Sequence, residues 1–596
     1  MVDGVTKALL AALETVLETC AAGLLLALLV LVLSNVTLRY GFQTGFIGAE
    51  ELGIWLHLAL ISLAAPLALR GPLAMRFELA VRALPPRLTA VTDVLADMVS
   101  VLTGLTLLFG SLAVIGRSTN MSAALGLPEW LRFAAIAAGG GLLLLVLILQ
   151  RLTEGRGRGL LASLVLGCLA YGAITRIDLA GALPPSAALA VFAGLGLLVG
   201  APLAHAFLAA ASLAGMFGSS LPEPALVSTA VNGMSRFLLL AIPFFLLVGG
   251  LLTLSGAAER LVGFAASLVG HRRAGLAQTV LLTSVIFSGA SGSSVANAAF
   301  GATTFQPQLV KNGYPPAQAG AIIAATSVLD NVIPPSIAFL LLAAATNLSV
   351  GSLLTGGFLA GGLMATCLCV AIHLSAGASA QGQPASTGAR LAALGSALPA
   401  FGLGVIVVVG IRFGAVTPTE AAALAAFYTL VLAGLARPGL RALVMAFRRS
   451  ALEAGAIGLL IGSAGPFAFL LAVDDVGQLL SSAIHSFGGS AWTVLLGLNL
   501  VLLVAGLVLD IGAAILLLGP ILLPVAVAAG IDPIHFGVIL VVNLMIHGLT
   551  PPLGMLVYVV SGVTHVPAAA LFRAVLPYLA ALLVALLILC IATLVL

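Results

Sequence analysis

Charge is the scarcest property of this sequence: only 7% of its 596 residues are Asp, Glu, Lys or Arg. A soluble domain carries roughly 25%, so a water-facing surface cannot be covered and a soluble globular chain is excluded. Lysine is nearly missing, with Lys7 and Lys311 the only two. Neither follows a glycine, so the Gly-Lys-Ser/Thr phosphate loop is absent and ATP hydrolysis by this chain is not expected. Aromatic residues make up 6%, and there are five cysteines, all in or beside apolar runs. The Cys367/Cys369 pair has no histidine beside it, which reads as packing rather than metal or redox chemistry. The balance of 24 basic against 20 acidic residues carries no nucleic-acid footprint. What is abundant is apolar: 61% of the residues are hydrophobic, in long runs separated by short polar loops. That pattern is a chain threaded many times through a lipid bilayer.

The runs fall into two blocks. Residues 1–150 read as a domain of four spanning helices, near 12–35, 52–69, 90–116 and 131–150. The first run follows Glu14 and Glu18 and shows no small-residue cleavage site, so the first helix is expected to be retained. Residues 151–185 are a linker: a polar Gly-Arg segment (151–159) and one connecting helix, 160–176. A larger block, 186–596, follows, and the small, polar segment 375–390 divides it into halves. Arg70, Arg76, Arg82 and Arg87 lie between helices two and three, and Arg151, Arg156 and Arg158 after helix four. With a cytoplasmic N-terminus these groups share the cytoplasmic face, as basic loops do. Arg272, Arg273, Lys311 and the arginines of 437–449 can be placed on the same face.

The large block repeats itself. Pro307, Gly313, Pro316, Pro334 and Pro335 recur as Pro524, Gly530, Pro533, Pro551 and Pro552, each pair 217 residues apart. Both repeats end in a Pro-Pro pair inside an apolar run, NVIPPS (331–336) and GLTPPL (548–553). Proline removes an N–H and clashes with the preceding turn, so each run must break within the membrane. Backbone freed there is costly unless buried in protein or used for binding. Upstream of the first break, FSGASGSSVAN (287–297) can stop a helix midway and turn the chain back, and Lys311 returns it to the basic face. VLDIGAA (508–514) is a weaker counterpart. The expected fold is therefore an all-α polytopic membrane protein. It is an inverted-repeat transporter with two re-entrant hairpins and two broken helices, plus the four-helix domain.

Such architecture places substrate and ion sites near the midplane, where half-helix ends and unwound carbonyls face the ligands. Na⁺ is a hard cation that takes oxygen. A first candidate site joins Ser291, Ser293, Ser294 and Asn297 with the backbone near Asn331 and Ser336. A second uses Asp510, Asn543 and Thr550 with the backbone near Gly548. Gly292, Asp330, Pro334, Pro335, His547, Pro551 and Pro552 are the substrate or coupling candidates. Asp330 and His547 are 217 apart, each four residues before its Pro-Pro pair. Ionisable groups at membrane depth are functional candidates by default. An acid and a base at matched breaks can pair, bind substrate, carry a proton, or merely cap the broken helix. Glu420 is different: in VTPTEAAA, Thr417 as N-cap, Pro418 at N1 and Glu420 at N3 form a capping box. Without an ATP site, the driving force is an ion gradient. An intramembrane enzyme would need a Ser/His or paired-carboxylate constellation, and the eight histidines mostly stand alone or at predicted helix ends.

SGASGSSVANAAFGA, NGYPPAQAGAIIAATS, NVIPPSI, TPTEAAALAAFY, GPILLPVAVAAGIDPIHFGVI and TPPLGM resemble the large permease subunit of TRAP (tripartite ATP-independent periplasmic) transporters over about 186–596. LRYGF, the Glu50–Glu51 pair with Trp55, and LPEWLRF (127–133) resemble the family's small subunit more loosely. The resemblance implies a fused small and large membrane permease of the bacterial inner membrane, with no cofactor. It implies sodium-driven uptake of organic anions such as C4-dicarboxylates or sialic acids by an elevator-like motion, with a periplasmic binding protein delivering the solute. A monomer is expected, the fused block supplying its own scaffold. A stand-alone ion-coupled transporter, needing neither binding protein nor small subunit, is the alternative. Asn297 stands where many members have Asp, and Asp330 and His547 where glycine is usual.

Overall fold

The computed structural model describes residues 2–69, 71–76, 81, 84–291, 294–375, 384–486, 490–507, 509–551 and 554–595. Among them are 12 helices long and apolar enough to cross a membrane. Two compact units emerge, Met1–Pro243 with Phe447–Leu480, and Phe244–Ala446 with Ser481–Leu596. These units cut across the sequence boundaries at 150 and 185, because residues from both blocks pack together in the first.

The first unit holds Val2–Gly41, Ala49–Ala64, Pro86–Ile115, Trp130–Thr153 and the connecting helix Gly157–Ile174. Lipid supplies no hydrophobic drive between helices, so close backbone approach and polar contacts hold them. A Cβ on Gly140 would sit 2.8 Å from Gly104 O and Leu108 N, so only glycine lets Pro86–Ile115 and Trp130–Thr153 come this near. At the end of that pair Arg151 grips Asp97 with two hydrogen bonds of 2.6 Å. Pro86–Ile115 then offers a polar ladder to Leu203–Leu213 of the large block. Ser100 Oγ meets His205 Nδ1 at 3.0 Å, Thr103 Oγ1 donates to His205 O at 3.1 Å, and Thr106 meets Ser212 at 3.0 Å. On Leu440–Val473, Gly455 and Gly458 close against Ala64 and Ile61.

The second unit carries the repeat. Gly275–Ser291 and Ser294–Thr304 form a first helical hairpin, and Ala491–Gly506 and Ile511–Ala528 a second. Each is followed by an interrupted helix. The first runs Pro316–Ser327, a 3-10 turn Val328–Asn331, an irregular stretch, then Ile337–Thr346. The second runs Pro533–Ile546, a 3-10 turn His547–Leu549, then Met555–Thr564. Long helices Val350–Ser375 and Ala568–Val595 close the repeats. The segments start 216 to 218 residues apart (Gly275 and Ala491, Ser294 and Ile511, Pro316 and Pro533, Ile337 and Met555, Val350 and Ala568). The register therefore extends over hairpins and closing helices, well past the prolines that reveal it in the sequence. Gly313 and Gly530 both adopt positive φ, +89° and +82°, turning the chain into the broken helices in the same way. Pro316 and Pro533 open those helices at N1.

Glu420 forms the expected capping box. Its carboxylate accepts from Thr417 N at 2.8 Å, and Thr417 Oγ1 accepts from Glu420 N at 3.3 Å. Of the polar segment 375–390, residues 376–383 lie outside the described residues; the helices on either side end at Ser375 and begin at Thr387.

Candidate functional site: two broken helices and two hairpins

Both Pro-Pro runs are broken as proline chemistry requires. In the first, Pro334–Pro335 is cis, and Ser336 takes over as N-cap of the second half-helix. Ser336 Oγ accepts from Phe339 N at 3.3 Å and donates to the carbonyl of Asn331, closing the break over itself. The break is received by a glycine groove on Val350–Ser375. A Cβ on Gly357 would lie 2.7 Å from Val332 O and 2.3 Å from the Phe339 ring, and one on Gly361 2.3 Å from Ile333. These glycines sit four apart, on one helix face.

The first hairpin packs both its arms against the 3-10 turn Val328–Asn331. Its returning arm carries Ser294 and Asn297, each 3% exposed. Ser294 Oγ and Asn297 Nδ2 are buried with no hydrogen-bond partner among the described residues, as is Thr283 Oγ1 on the outgoing arm. Buried polar atoms are nearly always paired in native structures, so these atoms are candidates to face water or a ligand. Gly292 and Ser293 lie outside the described residues, as does the Ser291 side chain. Asp330 is fully buried on the 3-10 turn.

At the second break the chemistry differs. Asp510 is the N-cap of Ile511–Ala528 and accepts from Gly512 N at 3.0 Å. Asn543 donates to Asn499 Oδ1 at 2.7 Å and to Asn499 O at 3.1 Å, which ties the second hairpin to the second broken helix. Its own Oδ1 is buried and has no partner among the described residues. Thr550 N donates to His547 O at 2.8 Å, and Gly548 is buried in the 3-10 turn. His547 Nδ1 lies 2.6 Å from Leu544 O; a carbonyl only accepts, so this nitrogen carries the proton. The ring covers Gly506, where a Cβ would fall 2.9 Å from His547 Cγ. Pro551 is exposed, and Pro552 lies outside the described residues.

Two features escape a reading of the sequence. Each hairpin's second arm packs on the other repeat's second half-helix, Ser294–Thr304 on Met555–Thr564 and Ile511–Ala528 on Ile337–Thr346. Each candidate site therefore contains elements from both repeats. Asn499 is the other; its one signal was an amide alone inside the apolar run 494–504.

Comparison with known proteins agrees with this architecture. Residues 186–595 match the family "Tripartite ATP-independent periplasmic transporter, DctM component", and residues 28–156 the DctQ component. The isethionate TRAP transporter permease protein DctMQ of Oleidesulfovibrio alaskensis is 30% identical over 551 residues, 90% of this chain and 86% of that protein. The C4-dicarboxylate TRAP transporter large permease protein DctM of Pseudomonas aeruginosa is 40% identical over 359 residues, 59% of this chain and 84% of that one. The sialic acid TRAP transporter large permease protein SiaM of Vibrio cholerae is 34% identical over 365 residues, 60% and 84% respectively. A chain with paired hairpins and broken helices, preceded by a four-helix block and matched along both parts, belongs to the tripartite ATP-independent periplasmic transporters, with the DctQ and DctM components fused in one polypeptide.

Proposed function

We propose that this permease couples the inward movement of Na⁺ to uptake of a small organic anion, by an elevator-type displacement of the hairpins and broken helices. Membership of the family makes the chain an inner-membrane transporter rather than an enzyme, and permeases of this family work with a periplasmic binding protein. The observation that supports sodium coupling is a buried side-chain oxygen without a hydrogen bond among the described residues at each break, Ser294 Oγ at the first and Asn543 Oδ1 at the second. Carboxamide and hydroxyl oxygens suit a hard monovalent cation, and an amide can turn its oxygen toward one. Asp510 adds a charge to the second site that the first hairpin lacks.

In this reading the re-entrant hairpins and half-helices reach the midplane together. Ser294–Thr304 has 11 residues, about 16 Å at 1.5 Å per residue, roughly half the hydrocarbon core. The relatives named for C4-dicarboxylate, sialic acid and isethionate carry anions, which supports a carboxylate or sulfonate as solute here. The chain acts as a monomer, its fused block bracing the large one through the Ser100–His205 ladder. Reconstitution of the purified chain in proteoliposomes tests the proposal, with a periplasmic binding protein and an imposed inward Na⁺ gradient. Accumulation that needs both sodium and the binding protein is expected. Uptake that is indifferent to the sodium gradient would overturn the coupling, and uptake without the binding protein would favour a stand-alone carrier.

A further inference from the structure

An open cavity of about 430 Å³ lies beside the second break, lined by Pro551, Tyr558, Phe572 and Arg573 with three aliphatic neighbours. Its volume falls within the roughly 300–1,000 Å³ of small-molecule sites. Arg573 stands on Ala568–Val595, is exposed, and makes no hydrogen bond or ion pair among the described residues. Among the described residues no acidic side chain lines the cavity, and the guanidinium is the one formal charge there. Phe572, the residue before it, is wedged into the break: a Cβ on Gly554 would lie 3.0 Å from its ring, 2.9 Å from Gly548 O and 2.8 Å from Leu549 C. Phe572 also meets Tyr558 edge-on, with centroids 5.5 Å apart. The cavity is thus an aromatic and aliphatic cup with one cation, built onto the element that surrounds the second candidate cation site.

Resting on the uptake reading above, we infer that Arg573 is the anion-recognition residue of this permease, taking the carboxylate or sulfonate of the solute in the Tyr558–Phe572 cup. A planar guanidinium offers paired N–H donors to an oxyanion, a geometry lysine cannot copy. The same donors would suit a phospholipid phosphate at the membrane surface. The attachment of the cup to the broken helix favours the solute, since an anion bound there meets the element that also faces the coupling ions.

The test uses the full chain in nanodiscs of zwitterionic phosphatidylcholine and, separately, with added anionic phosphatidylglycerol. Thermal stabilisation is titrated with succinate, N-acetylneuraminate and isethionate at fixed sodium. The wild type in phosphatidylcholine is expected to be stabilised by at least one acid. Arg573→Gln should weaken that response by at least about tenfold, the loss of one charge-assisted contact, and Arg573→Lys should restore it in part. An unchanged response in Arg573→Gln overturns the inference, as does a wild type stabilised by none of the three acids. Stabilisation of the wild type by phosphatidylglycerol alone, lost in Arg573→Gln, would assign the residue to a lipid headgroup instead. Sodium titration without acid reports on the cation reading independently. It should be unchanged in Arg573→Gln, so a chain that ignores sodium fails that reading and leaves the acid titration to judge Arg573.

Discussion

Gly357→Ala places one methyl group where the first break rests on its neighbouring helix. The new Cβ would lie 2.3 Å from Phe339 Cε2, 3.0 Å from Phe339 Cζ and 2.7 Å from the carbonyl oxygen of Val332. Contacts under 3.0 Å force something to move. The Phe339 ring is fully buried and cannot swing aside, and Val332 O belongs to the backbone of the break itself. Overpacking a well-filled site costs roughly 1–3 kcal/mol, and with a backbone carbonyl in the way we expect the upper half of that range. Gly362 supplies the control five residues on, in the same helix. A Cβ there meets nothing within 4 Å, and alanine in place of an interior helical glycine gains up to about 1 kcal/mol. The two variants should therefore separate by about 2–4 kcal/mol. Thermal unfolding in nanodiscs at one scan rate is the assay, because unfolding of a membrane protein of this size is read as a rate-dependent midpoint. Gly357→Ala should melt well below the wild type and Gly362→Ala at or above it. Sodium-dependent stabilisation should shrink only in Gly357→Ala, since the displaced break carries Asn331 and Ser336. Equal midpoints for the two variants would refute the argument that the glycine groove positions the break.

Three further outcomes are expected. Asn297→Ala should raise the sodium concentration for half-maximal uptake by about tenfold or more, the effect of losing one ligand to an ion; an unshifted sodium titration in proteoliposomes would remove Asn297 from the site. Asp330→Ala should alter the cation dependence of transport, read as uptake against sodium at several pH values, and a superimposable set of curves would reduce Asp330 to a structural role. Asp97→Asn takes the charge from a buried bidentate pair, leaving Arg151 to face only Glu154, which lies 2.7 Å away and is more exposed. Breaking such a pair costs about 3–5 kcal/mol, so the folded yield should fall sharply, and Asp97→Asn combined with Arg151→Gln should recover much of it.

The local determinants were legible because they act over a few bonds. A proline pair interrupts a helix wherever it stands, so both breaks could be placed from NVIPPS and GLTPPL alone. The same holds for Pro316 and Pro533 at helix starts and for the Thr417–Glu420 capping box, which uses four consecutive residues. The constant spacing of 217 carried the repeat, and the shortage of charge carried the membrane. Long-range partners were not legible. The Asn543–Asn499 bond joins residues 44 apart, and nothing in either neighbourhood names the other. His547 matches Asp330 by repeat position, yet its ring lies over Gly506 of the second hairpin. Gly357 and Gly361 look like ordinary members of a glycine-rich helix until Val332 and Ile333 are seen against them.

By itself, then, the sequence determined that the chain spans a membrane, where two of its helices break and a few of them start, and that two halves share one plan. Tertiary structure alone decided that each returning hairpin arm packs on the other repeat, so that each candidate site draws on both halves. It also decided that Pro86–Ile115 of the small block is pinned to His205 and Ser212 of the large one. The physical reason is the same in both cases. Backbone chemistry acts through neighbours along the chain. Apolar helices in lipid choose their partners by small-residue fit and a few buried hydrogen bonds, which composition leaves open until the helices are brought together.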